Sequence, residues 1–278
     1  MPDLVHRPGW GDKRIVTWPS FLTCLPGVAV RAAIDFALPP RCPGCGTIVD
    51  ADDGFCLKCW TAMRFLGDPC CARCGVPFDH DMGAGAQCGS CLAAPPPFDS
   101  ARAVLAYGDV ARAVALRLKY GRRIGLARLI ARHMVRHVPD SGDSLPGDRV
   151  QALPPVIVPV PLHRWRLWGR GFNQSALIAD HLGRMTGLPV DNYALVRRRR
   201  TPPMRGLAPQ QRAATVRGAF AMTPGHDLRG RAVVLIDDVH TSGATAAACA
   251  RTLIRDGVAA VHLLCWARVV PDEQVRDD

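Results

Sequence analysis

The sequence has no long uninterrupted hydrophobic run. Its most apolar stretch, residues 21–38, follows a polar lead and is broken by Pro26, Arg31 and Asp35. It therefore fails as a membrane span and as the apolar core of an export signal, because both need an unbroken run. We interpret it as a short amphipathic helix, predict no transmembrane segment, and expect a cytoplasmic protein.

Acidic residues are too few to balance the basic ones outside the first hundred positions. Residues 1–100 carry eight Lys and Arg against ten Asp and Glu, a formal charge of −2. Because the whole chain has a formal charge of +11, residues 101–278 hold +13. This excess indicates that the second part of the chain binds an anion, either a phosphate ester or a nucleic acid.

Cysteine is concentrated in one segment. Nine of the twelve cysteines lie between Cys42 and Cys91, where helical periodicity is weak, and residues 93–97 then form a stiff spacer. The chain is long enough for an α/β core and a smaller module. We predict three parts: an N-terminal extension with the amphipathic helix (1–37), a cysteine-rich module (38–97) and an α/β domain (98–270).

Eight of these cysteines form four C-x-x-C pairs, a spacing that brings two thiolates to one metal ion. Two sets of four predict two structural Cys₄ zinc sites in a reducing compartment, and leave no open position for catalysis. Cys70 could replace Cys71, and the pairs could be interleaved between the sets. Cys24, Cys249 and Cys265 are interpreted as small hydrophobes or unpaired thiols. The predicted ligands are Cys42, Cys45, Cys56 and Cys59, then Cys71, Cys74, Cys88 and Cys91.

Beyond residue 98, short apolar runs alternate with amphipathic segments. This pattern predicts an α/β domain with a parallel sheet flanked by helices. Residues 197–217 carry seven arginines and three prolines, so we interpret them as a mobile basic loop. The predicted strands are 100–107, 156–160, 232–236 and 259–266, and the predicted helices are 110–120, 124–137, 173–185 and 244–255.

The most informative stretch is residues 233–245. Four apolar residues precede Asp237 and Asp238, and a turn of small residues then begins a helix. Such a turn presents backbone N–H groups and hydroxyls to a phosphate, while paired acids fit the hydroxyls of a ribose, directly or through magnesium. An ordinary capped turn is the alternative. The predicted phosphate and ribose ligands are Asp237, Asp238, Thr241, Ser242, Gly243, Ala244 and Thr245.

This segment resembles the signature of type I phosphoribosyltransferases, and the chain from about residue 36 to 268 resembles the ComF family. The resemblance also rests on segments 119–121, 158–163, 170–174 and 212–220. It implies that residues 38–97 form a double zinc-ribbon module and that residues 98–270 form a phosphoribosyltransferase-like domain. It also implies phosphoribosyl pyrophosphate with magnesium as the ligand, Asp237 and Asp238 as catalytic residues, and residues 197–217 as a mobile lid. The pyrophosphate ligands that it implies are Pro161, Leu162, His163, Arg164 and Arg170.

Two functions follow from the resemblance. One is sugar-phosphate binding in DNA uptake during competence, with single-stranded DNA and competence proteins as partners and Arg197, Arg198, Arg199 and Arg200 as DNA contacts. The other is an active phosphoribosyltransferase of nucleotide metabolism, for which the sequence has no recognisable pocket for an acceptor base. His240 is interpreted as a local hydrogen-bonding residue. Trp165 and Trp168 are interpreted as packing residues, with stacking on nucleic-acid bases as the alternative.

Overall fold

The computed structural model describes residues 39–139, 153–201 and 208–270. The predicted helix in 21–38 and Cys24 lie outside the described residues. The strands are β1 (Ser100–Ala106), β2 (Val156–Pro159), β3 (Leu195–Arg197), β4 (Phe220–Met222), β5 (Ala232–His240) and β6 (Ala260–Arg268). The helices are α1 (Leu57–Thr61), α2 (Gly89–Ala93), α3 (Asp109–Tyr120), α4 (Leu126–Met134), α5 (Arg164–Arg170), α6 (Gln174–Thr186), α7 (Pro209–Val216) and α8 (Ala244–Arg255).

Four strands form a parallel sheet in the order β1-β6-β5-β2, while β3 and β4 form a separate antiparallel pair. The apolar run of β5, Val233 to Ile236, is fully buried. A central parallel strand is covered on both faces, which explains why its sequence is continuously apolar. The predicted α/β class is confirmed.

Alternating side chains of β5 contribute to two separate cores. Val233 and Leu235 pack on the face that carries α7, α8 and the β3-β4 pair. Val234 and Ile236 pack on the opposite face, against α3, α4 and α6. Successive strand residues point to opposite faces, so the same alternation predicts the sides on which Asp237 and Asp238 lie.

Strand β5 is longer than predicted. We expected it to end at Ile236, but it continues to His240, because β6 extends alongside it and pairs Val239 with Ala267 and His240 with Arg268. The two acids therefore lie inside the strand rather than just after it. The predicted helix 124–137 is also divided, into α4 and a 3₁₀ turn at Val135–His137.

The interpretation of residues 197–217 as a mobile loop is wrong for its described C-terminal part. Residues 209–216 form α7, whose Val216 is fully buried in the core with α8. Pro209 occupies the first helical position, where its missing N–H costs no hydrogen bond. The Ala208 amide donates to Gln211 Oε1 at 3.0 Å, which satisfies a free group at the helix start. Residues 202–207 lie outside the described part of the chain.

The cysteine module covers the outer edge of the sheet. Its middle segment pairs with β1, where the Leu66 amide donates to Val104 O and the Ala106 amide donates to Arg64 O, both at 2.9 Å. Cys42 and Cys59 join the core on one face, whereas Cys71 and Cys91 join the core on the other. The module thereby protects an edge strand from pairing with other chains. The boundary near residue 98 stays a prediction, since residues 41–278 form one compact unit.

Gly46 and Gly75 each follow the first C-x-x-C pair of a cysteine set. Because only Gly75 is in tight contact with β1, we predict that the two positions differ in their tolerance of alanine. Gly75 has φ +70°, and an added Cβ would lie 2.2 Å from Ala101 O, whereas at Gly46 (φ +88°) the nearest atom would be 3.8 Å away. We expect Gly75→Ala to lower the unfolding free energy by about 3 kcal/mol or more, and Gly46→Ala by about 1 kcal/mol. Urea unfolding of the zinc-loaded variants measures both, and equal losses would contradict the contact.

Candidate anion site and metal centres

The two acids of β5 lie on opposite sides of the strand. Asp238 is 3% exposed and forms an ion pair with Lys119, from the last turn of α3. Burial is the largest single influence and favours the neutral amine of Lys119, but the charge and hydrogen bond of Asp238, together with the charge of Asp237, raise its pKa. Lys119 lies in segment 119–121, one of the segments on which the family resemblance rests. Its contact with Asp238 was not predicted, because the two residues are far apart in sequence.

Asp237 lies on the other side of the strand, near the buried Arg197 and Cys249. Its Oδ1 accepts a hydrogen bond from the Asp238 amide at 2.9 Å. Burial, followed by the negative charge of Asp238, raises the pKa of Asp237 to about 8. The ionised form of a carboxyl group in such surroundings is stabilised when a cation or a hydroxyl donor compensates its charge.

The raised pKa of Asp237 predicts a pH-dependent stability. Between about pH 4 and pH 8 the folded state binds more protons than the unfolded state, so stability falls as the pH rises through this window. Asp237→Asn removes this titration. We therefore expect the ligand-free variant to melt about 3 °C or more above the wild type at pH 9, with a smaller difference at pH 5.

Thermal unfolding at the two pH values tests this expectation. Asp227→Asn is the matched control, because the side chain of Asp227 is 74% exposed. A pH slope that is the same for wild type and Asp237→Asn would contradict the raised pKa.

The turn after β5 leads directly into α8. Thr241 and Ser242 are exposed, and Gly243 has φ +70° as the residue that precedes the helix. Gly243 has no side chain to cap α8, so within the described residues the backbone N–H groups of its first turn are available to an anion. The predicted phosphate ligands Thr241 to Thr245 thus surround a free helix N-terminus.

His240 packs beneath this turn. An added Cβ on Gly243 would lie 2.9 Å from its Cε1 atom, and its ring is 6.1 Å from the ring of Phe98. Burial and the positive charge of Arg268 lower the pKa of His240 to about 4. The ring is therefore neutral near pH 7 and supports the shape of the turn.

The loop after β2 lies beside the acidic strand. The Val160 amide donates to Ile236 O at 2.9 Å, and Asn173 Nδ2 donates to Val160 O at 3.1 Å. Of the predicted pyrophosphate ligands, Pro161 is buried and Leu162 is partly buried. Because both side chains are apolar, only backbone groups of this segment could contact an anion. Arg164 is exposed.

His163 and Arg170 bracket α5. The His163 ring is buried and accepts a hydrogen bond from the Trp165 amide at 3.4 Å, so it acts as a helix cap. Arg170 donates to Gln174 Oε1 and lies 5.2 Å from the ring centre of Tyr120. Arg170 is also close enough to affect the pKa of Lys119. The structure therefore brings Arg170 close to Lys119, the partner of Asp238, whereas the His163 ring caps the helix.

The basic run 197–200 is divided by burial. Arg197 is 6% exposed, donates to Thr201 Oγ1 and lies 5.3 Å from the ring centre of Phe220. This corrects its interpretation as a DNA contact, since its guanidinium packs inside the protein. Arg198 and Arg200 are exposed, while the exposed Arg199 donates to Thr215 O and Arg217 O, both at 2.9 Å.

The structure groups the cysteines sequentially. Within each set of four predicted ligands, the sulfur atoms lie within 4.8 Å of one another. The C-x-x-C pairs are therefore not interleaved between the two sets. Two sulfur pairs lie close to the separation of about 3.8 Å that tetrahedral zinc–thiolate geometry requires: Cys45 to Cys56 at 3.5 Å and Cys74 to Cys88 at 3.7 Å. The donor sets therefore fit zinc.

Cys71 belongs to the second sulfur cluster, and Cys70 does not. The Cys71 sulfur accepts from the backbone amides of Cys74 and Cys88 at 3.4 and 3.3 Å, as expected of a metal-binding thiolate. The Cys70 thiol instead donates to Asp68 Oδ1 at 3.3 Å and lies outside the cluster. Cys249 and Cys265 are buried in the core, as predicted.

Comparison with known proteins supports the cysteine module and identifies the family of the chain. A family model described as a double zinc ribbon domain matches residues 33–92. The chain is 34% identical over 219 residues to DNA utilization protein YhgH of Escherichia coli (strain K12), an alignment that covers 78% of this chain and 91% of that protein. The chain belongs to the ComF family.

Two further relatives carry the family name. The ComF-family chain is 29% identical over 230 residues to Competence protein F of Haemophilus influenzae, which covers 82% of this chain and 96% of that protein. It is 24% identical over 222 residues to Competence protein ComFC of Bacillus subtilis, with coverages of 77% and 83%. Together with the two cysteine clusters, the zinc-ribbon match supports structural zinc in this ComF-family chain.

Within the described residues of this ComF-family chain, none of the helices combines the length and the apolar character needed to cross a bilayer.

Proposed function

We propose that this ComF-family chain binds phosphoribosyl pyrophosphate or a related sugar phosphate, together with Mg²⁺, and that it does so in DNA uptake or DNA use. The observation that carries the proposal is the uncapped N-terminus of α8 directly after Asp237 and Asp238. The names of the relatives, DNA utilization protein and competence protein, support the cellular role.

The phosphate of the ligand would bind at the turn. Gly243, in its left-handed conformation, allows the chain to turn sharply into α8. The first-turn amides and the exposed Thr241 and Ser242 hydroxyls provide neutral donors, and the helix dipole adds a partial positive charge. A phosphate ester is the ligand class that such a turn favours.

The acids and their basic neighbours would hold the rest of the ligand. Asp237 and Asp238 offer carboxylates to ribose hydroxyls or to Mg²⁺, an ion that prefers oxygen ligands. Arg164 and Arg170 follow the adjacent strand and offer positive charge to the pyrophosphate. Lys119, which neutralises Asp238, would have to share that carboxylate with the ligand.

Single-stranded DNA is the proposed second partner. No Asp or Glu occurs between residues 192 and 226, a segment that holds seven arginines, and Arg198 and Arg200 are exposed. Such a surface would bind phosphates with an affinity that falls steeply as salt rises.

Calorimetric titration of the zinc-loaded protein with phosphoribosyl pyrophosphate tests the proposed ligand. We expect saturable binding in the presence of Mg²⁺, with much weaker binding of ribose 5-phosphate, which lacks the pyrophosphate. No heat of binding at millimolar ligand would contradict the proposal.

Transfer of the phosphoribosyl group is the alternative function. The same carboxylate pair favours it, because a negative charge beside the ribose stabilises an oxocarbenium-like transition state. Release of pyrophosphate in the presence of a nucleobase, abolished by Asp238→Asn, would support this enzyme. Binding without release would support the binding role alone.

A further inference from the structure

Helix α5 presents two tryptophans to solvent. Trp165 is 51% exposed and Trp168 is 80% exposed, and Leu167 beside them is 40% exposed. The two indole rings are in edge-to-face contact, with centroids 5.6 Å apart and planes at 86°. Burying an indole is among the larger apolar gains available to a fold, so exposed neighbouring tryptophans indicate a partner that covers them.

The surroundings of these tryptophans are positively charged. Residues 160–179 contain three arginines and no acid, and residues 192–226 contain seven arginines and no acid. Arg164 lies 5.8 Å from the ring centre of Trp165, and Arg166 Nη2 donates to Thr201 O at 3.1 Å. The second contact fastens α5 to the end of the basic run 197–200.

The guanidinium groups also converge at the start of α5. Burial is the largest cause that lowers the pKa of His163, and the positive charges of Arg164, Arg197 and Arg200 lower it further. A partner that covers the tryptophans is therefore expected to be a polymer that carries negative charge along its length and has flat apolar faces. Single-stranded DNA has both, whereas acidic peptides and anionic lipids lack the stacked faces.

We propose that Trp165 and Trp168 form a base-stacking platform for single-stranded DNA, with Arg198 and Arg200 binding the adjacent phosphates. The inference rests on the proposed function for the identity of the polymer, but its residues lie outside the acidic pair and the 241–245 turn. Because every base has a stackable face, the platform would bind single strands of any sequence.

Binding of fluorescein-labelled single-stranded DNA and of an abasic oligonucleotide of equal length, measured by anisotropy at low salt, tests the platform. We expect the variant Trp165→Ala/Trp168→Ala to bind DNA about tenfold more weakly or worse, and the variant Trp165→Phe/Trp168→Phe to bind within about threefold of wild type. The abasic oligonucleotide should bind wild type and the alanine variant equally. Trp60→Ala is the matched control, because Trp60 is 49% exposed on the cysteine module.

Three outcomes would overturn the platform. They are wild-type affinity in the alanine variant, an equal loss of affinity for the abasic oligonucleotide, or no binding of single-stranded DNA by the wild type. Titration of the same variants with Mg²⁺ and phosphoribosyl pyrophosphate separates the two proposals. If the alanine variant binds the sugar phosphate as the wild type does but binds DNA more weakly, both proposals are supported. If the wild type binds DNA through the tryptophans but does not bind the sugar phosphate, only the proposed sugar-phosphate site is rejected.

Discussion

Cys71→Ser is expected to lower the melting temperature by about 10 °C or more, while Cys70→Ser leaves it nearly unchanged. Cys71 belongs to the second four-sulfur set and is fully buried, whereas Cys70 lies outside that set. Zinc holds a small module together because the apolar residues of that module cannot form a sufficient core. The adjacent cysteines thus provide a substitution and its control one residue apart.

The effect should extend beyond the module. Cys71 and Cys91 are part of the same core as β5 and α8, and the segment between the two sulfur sets pairs with the edge of β1. Metal analysis should find two zinc ions in the wild type and in Cys70→Ser, and one in Cys71→Ser. Equal melting temperatures for the two variants, or a zinc-free wild type, would contradict this account.

Asp238→Asn is expected to weaken binding of phosphoribosyl pyrophosphate with Mg²⁺ by about thirtyfold or more. The substitution removes the carboxylate that the ligand would contact. It also leaves Lys119, whose side chain is 22% exposed, without its partner, and this should lower the unfolding free energy by about 3 kcal/mol.

A double variant separates these two effects. Lys119→Met with Asp238→Asn removes both charges, so it should recover most of the lost stability without recovering binding. Asp227→Asn, the same substitution at an exposed acid, should change neither property. Recovered binding in the double variant would show that Asp238 supports the fold and does not contact the ligand.

The sequence predicted elements whose signals are local. Helix α8 begins and ends where its sequence predicted, because a glycine and a change to helical periodicity mark its start. The apolar core of β5 was predicted for a similar reason. The extension of β5 to His240 depends on pairing with β6, a non-local interaction that no local pattern reports.

Two features of the site were not predictable for the same physical reason, and a third was predicted with an alternative left open. The ion pair between Lys119 and Asp238 joins α3 to β5, so it exists only after the sheet assembles. Arg197 is buried and the three arginines that follow it are exposed, although no local sequence pattern distinguishes the four residues. C-x-x-C spacing identified eight ligands, but only the folded backbone could show that the sets are sequential.

The position of the sugar phosphate is the central claim, and a crystal structure of the protein with Mg²⁺ and phosphoribosyl pyrophosphate tests it most directly. The account predicts a phosphate against the backbone amides of residues 241–245, with the ribose beside Asp237 and Asp238. A ligand bound elsewhere, or a 241–245 turn without phosphate at saturating ligand, would contradict it.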